Sequence, residues 1–242
     1  MTPNWVEADW PAPANIHAGT TLRTGGESKI PYDSNNLAAH VGDDLNAVEK
    51  NRQYLKSMLN LPADPCWLDQ NHGNKVINID KGEQCLTADA SYSLKPEAVC
   101  VVLTADCLPV LLCNEQGAKI AAVHAGWRGL LNGVIENAVS ELKDNNLMAW
   151  LGPAIGPECF EVGDEVFDIF FNKSHLFSSA FQSKGQAKWL LDIYKLARLM
   201  LNNVGVKKIY GGNFCTMTEQ KQFFSYRRDG KTGRMASLIW RI

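Results

Sequence analysis

Two short apolar runs, residues 109–113 and 118–123, flank the polar tetrapeptide Asn114-Glu115-Gln116-Gly117, and this arrangement leaves little choice but an antiparallel hairpin. Both runs are strand-sized, and a four-residue polar loop ending in glycine is a common hairpin connection. If Cys113 pairs with Ala118 across the loop, each step back along the first strand matches a step forward along the second, and Cys107 falls opposite His124. Directly opposed residues hold their Cβ atoms about 4.5–5.5 Å apart on one face. A metal spans that gap with bonds of about 2.3 Å to sulfur and about 2.0 Å to nitrogen. The register alone predicts a two-ligand site. Pro109 works against it, because a proline inside a strand removes a ladder hydrogen bond and can bulge the pairing.

A third ligand must come from elsewhere, and His72 in Gln70-Asn71-His72-Gly73 is the best placed, on a tight polar turn between two strand-like segments. His17, His40 and His175 have weaker contexts. The plain alternative stays open at this point: a cysteine in an apolar strand is usually a small core residue, and an isolated histidine usually a satisfied polar group.

Along the rest of the chain, strand patterns occur at 16–22, 66–68, 75–79, 98–103, 207–210 and 235–240, and helical periodicity at 45–59, 130–142, 164–171 and 190–204. Asp43 or Asp44 can cap the first helix, whose residues Leu45, Val48, Leu55 and Leu59 share one face. Several successive strands have connections too short for a crossover. The expected fold is therefore α/β (α+β): a single domain over 1–242 with a mixed, largely antiparallel sheet flanked by helices. No Pro/Gly/Ser-rich linker divides the chain. Thr87-Ala88-Asp89 recurs as Thr104-Ala105-Asp106, a match too short to mark a repeat.

Composition narrows the function classes. A net charge of −2, with Arg227-Arg228 the nearest thing to a basic cluster, argues against a nucleic-acid partner. No apolar run approaches the ~18–20 residues a membrane span needs, and residues 1–13 have no leader pattern. A cytoplasmic protein is expected. The seven cysteines (66, 85, 100, 107, 113, 159, 215) have no disulfide-framework spacing, which fits buried thiols in a reducing compartment. Phosphate-loop, dinucleotide, zincin and serine-hydrolase signatures are missing. The deaminase pattern also fails, because Ala125-Gly126 follow His124 and Cys159 has no partner at the required spacing.

The ordered motifs Leu22-Arg23-Thr24-Gly25-Gly26, Gln70-Asn71-His72-Gly73, Ala88-Asp89-Ala90, Thr104-Ala105-Asp106-Cys107-Leu108-Pro109, His124-Ala125-Gly126-Trp127-Arg128-Gly129, Gly152-Pro153-Ala154-Ile155-Gly156-Pro157 and Phe223-Phe224-Ser225-Tyr226-Arg227-Arg228-Asp229 span nearly the whole chain. Together they resemble the YfiH family of laccase-domain proteins, also called peptidoglycan editing factors. The family's zinc ligands fall on His72, Cys107 and His124. Glu158 is a departure, standing where many members have a cysteine beside the position of Cys159.

Two histidines and a cysteine with a fourth position open form the donor set of a catalytic zinc rather than a structural one; copper can compete for it in vitro. Asp106 and Asp89 are candidates for proton transfer or for orienting the ligands, and turn or cap roles are the alternative. Arg128, at the start of the next helix, and Arg23, Arg227 and Arg228 are candidate anion-binding residues. Trp127 or Tyr226 are candidates to stack on a base, with core packing as the alternative. The resemblance implies purine nucleoside chemistry: phosphorolysis of adenosine, inosine, guanosine and methylthioadenosine, with deamination of adenosine at the same site, so that nucleoside and phosphate are the expected partners. It also implies a rival, a zinc amidase removing misincorporated L-serine from the cell-wall precursor UDP-MurNAc-L-Ser. A multicopper phenol oxidase needs roughly ten histidines, and the chain has five. The non-enzymatic alternative is a zinc-stabilised binding module.

Overall fold

The computed structural model describes residues 4–82 and 86–242, so Cys85 and the first three residues lie outside the described part. In chain order the elements are β1 (Trp5–Glu7), β2 (Ile16–Thr21), α1 (Leu45–Met58), β3 (Val76–Asn78), β4 (Ala90–Ser93), β5 (Val99–Thr104), β6 (Leu108–Asn114), β7 (Ile120–Ala125), α2 (Trp127–Leu131), α3 (Val134–Leu142), β8 (Leu147–Leu151), β9 (Glu161–Gly163), α4 (Asp164–Lys173), β10 (Phe181–Gly185), β11 (Lys188–Leu191), α5 (Ile193–Asn203), β12 (Lys208–Gly211), α6 (Tyr226–Asp229) and β13 (Met235–Arg241). The mixed, largely antiparallel α/β character holds, but the strands divide among three sheets. Six strands run β12-β8-β6-β7-β4-β3, four run β1-β2-β13-β5, and β10-β11-β9 form a small third sheet. Among the described strand pairs of the six-stranded sheet, the outer pairs β12–β8 and β3–β4 are parallel and the inner ones antiparallel.

Strand alternation makes the layers. On β6 and β7, Val110, Leu112, Ala121 and Val123 face α3 and α5, while Leu111, Cys113, Ile120 and Ala122 face Cys100, Val102 and Ile239 of the four-stranded sheet. The far side of that sheet, through Val101, Leu103 and Leu238, packs on Leu55 of α1. Helices, sheet, sheet and helix therefore stack in four layers. Strands covered on both faces read as continuous apolar runs. Truncating a fully buried leucine such as Leu111 or Leu112 to alanine should cost about 2–5 kcal/mol.

Several expected elements differ from the observed ones. The hairpin loop is one residue further along than the polar tetrapeptide suggests: Asn114 joins β6, its N–H donating to the Lys119 carbonyl at 3.2 Å and its side-chain oxygen accepting from the N–H groups of Ala118 and Lys119. Cys113 consequently pairs with Ile120, and His124 faces Pro109 rather than Cys107. The helix expected over 130–142 is two helices, because Gly133 at φ +85° breaks it. Residues 66–68 form only a single bridge, Cys66 to Cys100. Leu190 and Leu191 belong to β11, since Asp192 caps α5 by accepting from the Lys195 N–H. Asp44 caps α1, and Leu45, expected on the apolar stripe, is 61% exposed.

Candidate metal centre and its cleft

The ends of β5, β7 and the start of β13 meet at one end of the sandwich around a cleft of about 510 Å³. His124 is the last-but-one residue of β7 and shares the face of Ile120 and Ala122, between the two large sheets. Cys107 sits just before β6, in line with Pro109 on the same face. His72 arrives on the 70–73 turn in the left-handed conformation, φ +63°. Gln70 fastens that turn to β5 by a two-way pairing with the Leu103 backbone, at 2.9 and 2.7 Å.

One donor atom from each of His72, Cys107 and His124 lies within 4.8 Å of the others. Cys107 Sγ is 3.9 Å from His72 Nε2. A tetrahedral zinc with ordinary bond lengths sets such donors roughly 3.3–3.6 Å apart, so the Cys107–His72 pair stands a few tenths of an ångström from that spacing, and the set as a whole would draw in by up to roughly 1.5 Å to close around an ion. Gly126 makes the approach feasible: a Cβ there would lie 3.0 Å from Cys107 Sγ and 3.4 Å from His72 Cδ2.

Asp89, with no exposed surface, organises two of the three donors. One carboxylate oxygen accepts from His124 Nδ1 at 2.8 Å and the His72 N–H at 2.9 Å; the other accepts from the N–H groups of Gly73 at 2.7 Å and Asn71 at 3.3 Å. Binding Nδ1 leaves Nε2 of His124 as the free ring nitrogen. Burial pushes the Asp89 carboxyl upward, but His124 and the turn N–H groups outweigh it and hold the carboxyl below its usual value. Burial likewise raises the Cys107 thiol, and the two histidines reverse that, bringing it down to about 6; burial lowers His124, and the thiolate and Asp89 outweigh it and lift His124 to about 9. A thiolate with two imidazoles, one of them oriented by a carboxylate, is a donor set that suits a borderline-soft divalent metal.

The other sequence candidates separate. Asp106 lines the cleft at φ +96°, its side chain accepting from the Thr216 hydroxyl at 2.7 Å and the Arg227 N–H at 2.6 Å. Asp89 does not line the cleft and reaches it through His124. Arg128 is exposed, with its guanidinium 4.2 Å over the Trp127 ring, and among the described residues its side chain has no hydrogen bond or ion pair to protein. Arg227 lines the cleft and donates to the Glu161 carbonyl at 3.1 Å. Arg23 does not join them. It lies in a separate groove, donating to the Asp33 and Gln220 carbonyls and pairing with the Asp33 carboxylate at 3.5 Å. Arg228 is a clamp on the carbonyls of Thr216, Met217 and Phe223. Trp127 and Tyr226, the latter 61% exposed, both line the cleft.

Sequence reasoning missed Arg234 and undervalued His40, which share the cleft wall with Gln70. Arg234 precedes β13 and spends one nitrogen on the Thr232 and Gly233 carbonyls. Burial, then Arg234, hold His40 below its usual value and hence neutral at pH 7. Nothing local marks either residue. His17 stacks on Trp240 and His175 packs on Phe171, and neither lines the cleft.

Residues 17–242 match the family model described as multi-copper polyphenol oxidoreductase laccase. The chain is 54% identical over 241 residues to the purine nucleoside phosphorylase YfiH of Escherichia coli (strain K12), covering 98% of each. It is 48% identical over 239 residues to the purine nucleoside phosphorylase of Haemophilus influenzae, covering 97% of this chain and 98% of that one. A crystal structure of a Neisseria meningitidis protein superposes with a TM-score of 0.95 at 48% identity, covering 98% of this chain and 99% of that chain. That of YlmD from Geobacillus stearothermophilus does so at 0.91 and 30% identity, covering 100% and 97%.

Proposed function

Because this chain belongs to the YfiH family, whose model is described as multi-copper polyphenol oxidoreductase laccase, we propose that it is a cytoplasmic, zinc-dependent purine nucleoside phosphorylase, the activity for which its E. coli and H. influenzae relatives are named. The observation that carries this reading is the convergence of His72, Cys107 and His124 in one cleft with Arg128, Arg227 and Arg234 and with Trp127 and Tyr226. The two histidines and the cysteine would hold the metal, and zinc bound there supplies a Lewis acid within the cleft.

Phosphorolysis forms a bond between a phosphate oxygen and C1′ of the ribose while the bond from C1′ to the base nitrogen breaks. The electron pair of that bond leaves with the base, which takes up a proton. The chain's residues have matching tasks. Arg128 offers a planar fork of donors with no protein partner among the described residues, which suits an incoming phosphate. Arg227 and Arg234 add positive charge on other walls of the cleft. Trp127 and Tyr226 present rings for a base to stack on. Asp106 keeps acceptor capacity beyond its bonds to Thr216 and Arg227, so it is the proton-transfer candidate, whereas Asp89 acts by orienting His124. Deamination of adenosine in the same cleft would react at a different atom: water adds to C6 of the base, forming a C–O bond, as the bond from C6 to the amino nitrogen breaks and ammonia leaves.

The family description does not extend to oxidase chemistry here. Only His72 and His124 of the five histidines enter the donor cluster, far from the roughly ten that a blue copper and a trinuclear centre require. The test is phosphate-dependent release of free base from adenosine, inosine, guanosine and methylthioadenosine, run beside serine release from UDP-MurNAc-L-Ser, with metal analysis of protein purified without added copper. Base release that requires phosphate, with about one zinc per chain, supports the proposal. Serine release without base release replaces it with the amidase, and several coppers per chain with the oxidase.

A further inference from the structure

Beside the metal cleft lies a second cavity of about 540 Å³, several of whose polar wall residues are already engaged. Arg198 donates to the carbonyls of Ile209 and Gly211, Lys195 to that of Ser179, and Tyr194 Oη accepts from the Ala154 N–H and bonds the Phe214 carbonyl. Its wall also carries two sulfurs. Cys159 and Cys215 both line the cavity and both are half-buried. Cys159 closes the 156–159 turn, its N–H donating to the Gly156 carbonyl at 3.1 Å. Cys215 docks on that turn from a distant part of the chain: its Sγ accepts the Gly156 N–H at 3.3 Å, and its neighbour Thr216 donates to the Ala154 carbonyl at 3.0 Å. Gly156 therefore joins the two residues, through its N–H to the Cys215 sulfur and through its carbonyl to the Cys159 backbone, on one wall of the cavity.

We propose that Cys159 and Cys215 are a reversible dithiol–disulfide pair, a redox-modification site distinct from the metal centre, with a hydroperoxide as the oxidant. Cys215 is the attacking sulfur. Burial works against its thiolate, but hydrogen bonds from Thr218, Gly156 and Met217 prevail and hold the thiol below its usual value. Cys159 is the resolving thiol, pushed upward by burial and then by the adjacent Cys215. The Cys215 thiolate forms a sulfur–oxygen bond as the peroxide O–O bond breaks, so sulfur is oxidised by two electrons and the peroxide is reduced to water or an alcohol. Cys159 then loses its proton and attacks the sulfenic sulfur. The S–S bond forms, the S–O bond breaks, and hydroxide leaves with that proton as water.

Cys66 and Cys100 are also neighbours, across a backbone bridge. Cys100 is completely buried and burial raises both thiols, so they serve as an internal contrast. The proposed pair is coupled to the metal cleft through one residue: Thr216, next to Cys215, donates its hydroxyl to Asp106 at 2.7 Å, and Asp106 lines the cleft beside Cys107. Drawing Cys215 toward Cys159 would shift that contact.

The test treats the metal-loaded full chain with hydrogen peroxide, blocks the remaining thiols, and maps digested peptides by mass. The expected result is a Cys159–Cys215 linked peptide with two thiols lost per chain and recovered with dithiothreitol. Cys159→Ser should form no link and leave Cys215 as a sulfenic acid that dimedone labels, and Cys215→Ser should give neither product. A link between other cysteines, dimedone labelling of Cys159 instead, or no thiol loss at peroxide levels that oxidise a free thiol would each overturn the proposal. A second arm, which rests on the phosphorylase reading, follows base release. Peroxide should change wild-type turnover at least two-fold and reversibly, and Cys159→Ser less; an equal response in both proteins would overturn the coupling to the cleft while leaving the linkage map to decide the pair.

Discussion

Replacing Asp89 with asparagine keeps the shape of the most heavily used carboxylate in the site but removes one of its two acceptor oxygens. Four donors converge on it: His124 Nδ1 and the His72 N–H on one oxygen, and the N–H groups of Asn71 and Gly73 on the other. In one amide orientation the new NH₂ group faces Asn71 and Gly73, leaving the Asn71 N–H without this acceptor and the Gly73 N–H with only the Asn71 side-chain oxygen at 3.1 Å. The orphaned donor costs the turn about 1–3 kcal/mol. In the other orientation the NH₂ faces the His72 N–H and His124 Nδ1, and the histidine can accept only by moving its proton to Nε2, the nitrogen a metal would use. Loss of such an orienting partner typically weakens metal binding about 10–100-fold. Urea unfolding of metal-free protein reads the first cost, and competition against a chromophoric chelator reads the second. An unfolding midpoint and a metal affinity both equal to wild type would refute the reasoning. A lower midpoint with unchanged affinity would reduce Asp89 to a turn-holding residue.

Gly126→Ala adds a Cβ 3.0 Å from Cys107 Sγ at a backbone φ of −64° that any residue tolerates; metal affinity should fall roughly tenfold, about 1.4 kcal/mol, with unfolding unchanged, and an unchanged affinity would mean the thiol has room to move. Arg128→Ala should raise the Michaelis constant for phosphate by about 10–150-fold, the worth of one charge-assisted contact of about 1.5–3 kcal/mol. Arg23→Ala should instead lower thermal stability and leave that constant alone, and the reverse pattern in steady-state kinetics would move the anion site to the Arg23 groove. For Asp144, the Asn146 N–H first, and then Asn114 and Lys119 against opposing burial, hold the carboxyl below its usual value of 3.8. A depressed folded-state value means that its stabilisation is fully present above about pH 4 and is lost as pH falls through the folded value. The melting-temperature gap between wild type and Asp144→Asn should therefore be widest near pH 6 and shrink below pH 4, and a gap that widens toward acid would show the sign to be wrong.

What was legible in the sequence depended on how local its cause is. The αββα layering rests on pairings such as β13 with β2, which joins the two ends of the chain, and β13 with β5, which joins its end to its middle, and neither leaves a local trace. β8, Leu-Met-Ala-Trp-Leu, is apolar at every position, and such a run carries no period to separate a doubly covered strand from a buried helix. The cleft's arginines show the same limit. Arg128 stood out because it follows His124 by a few residues, whereas Arg234 reaches the same wall through β13 and has no sequence neighbour in the site. Arg23 sat in a conspicuous motif, yet its fork is spent on Asp33 and Gln220. Motif membership does not distinguish a free guanidinium from one already bonded.

The hairpin shows why a misplaced register can still bring the right residues together. Asn114 extends β6 by one residue and Lys119 becomes its partner, so the loop moves one place along each strand and the pairing shifts by two residues in total. A shift of one would have turned every side chain of β7 to the opposite face and sent His124 toward α3. A shift of two conserves the face, so Cys107 and His124 remain on the same side of the sheet as diagonal rather than direct neighbours. The cost is distance, since diagonal neighbours stand about 7–8 Å apart at the backbone. Two local features recover it. Cys107 leaves the strand through Asp106, whose φ of +96° is a turn conformation, and Gly126 leaves open the space a side chain would take beside the sulfur. The donors therefore meet at the strand ends, where the backbone is free of the ladder and the 70–73 turn can bring in His72 as the third.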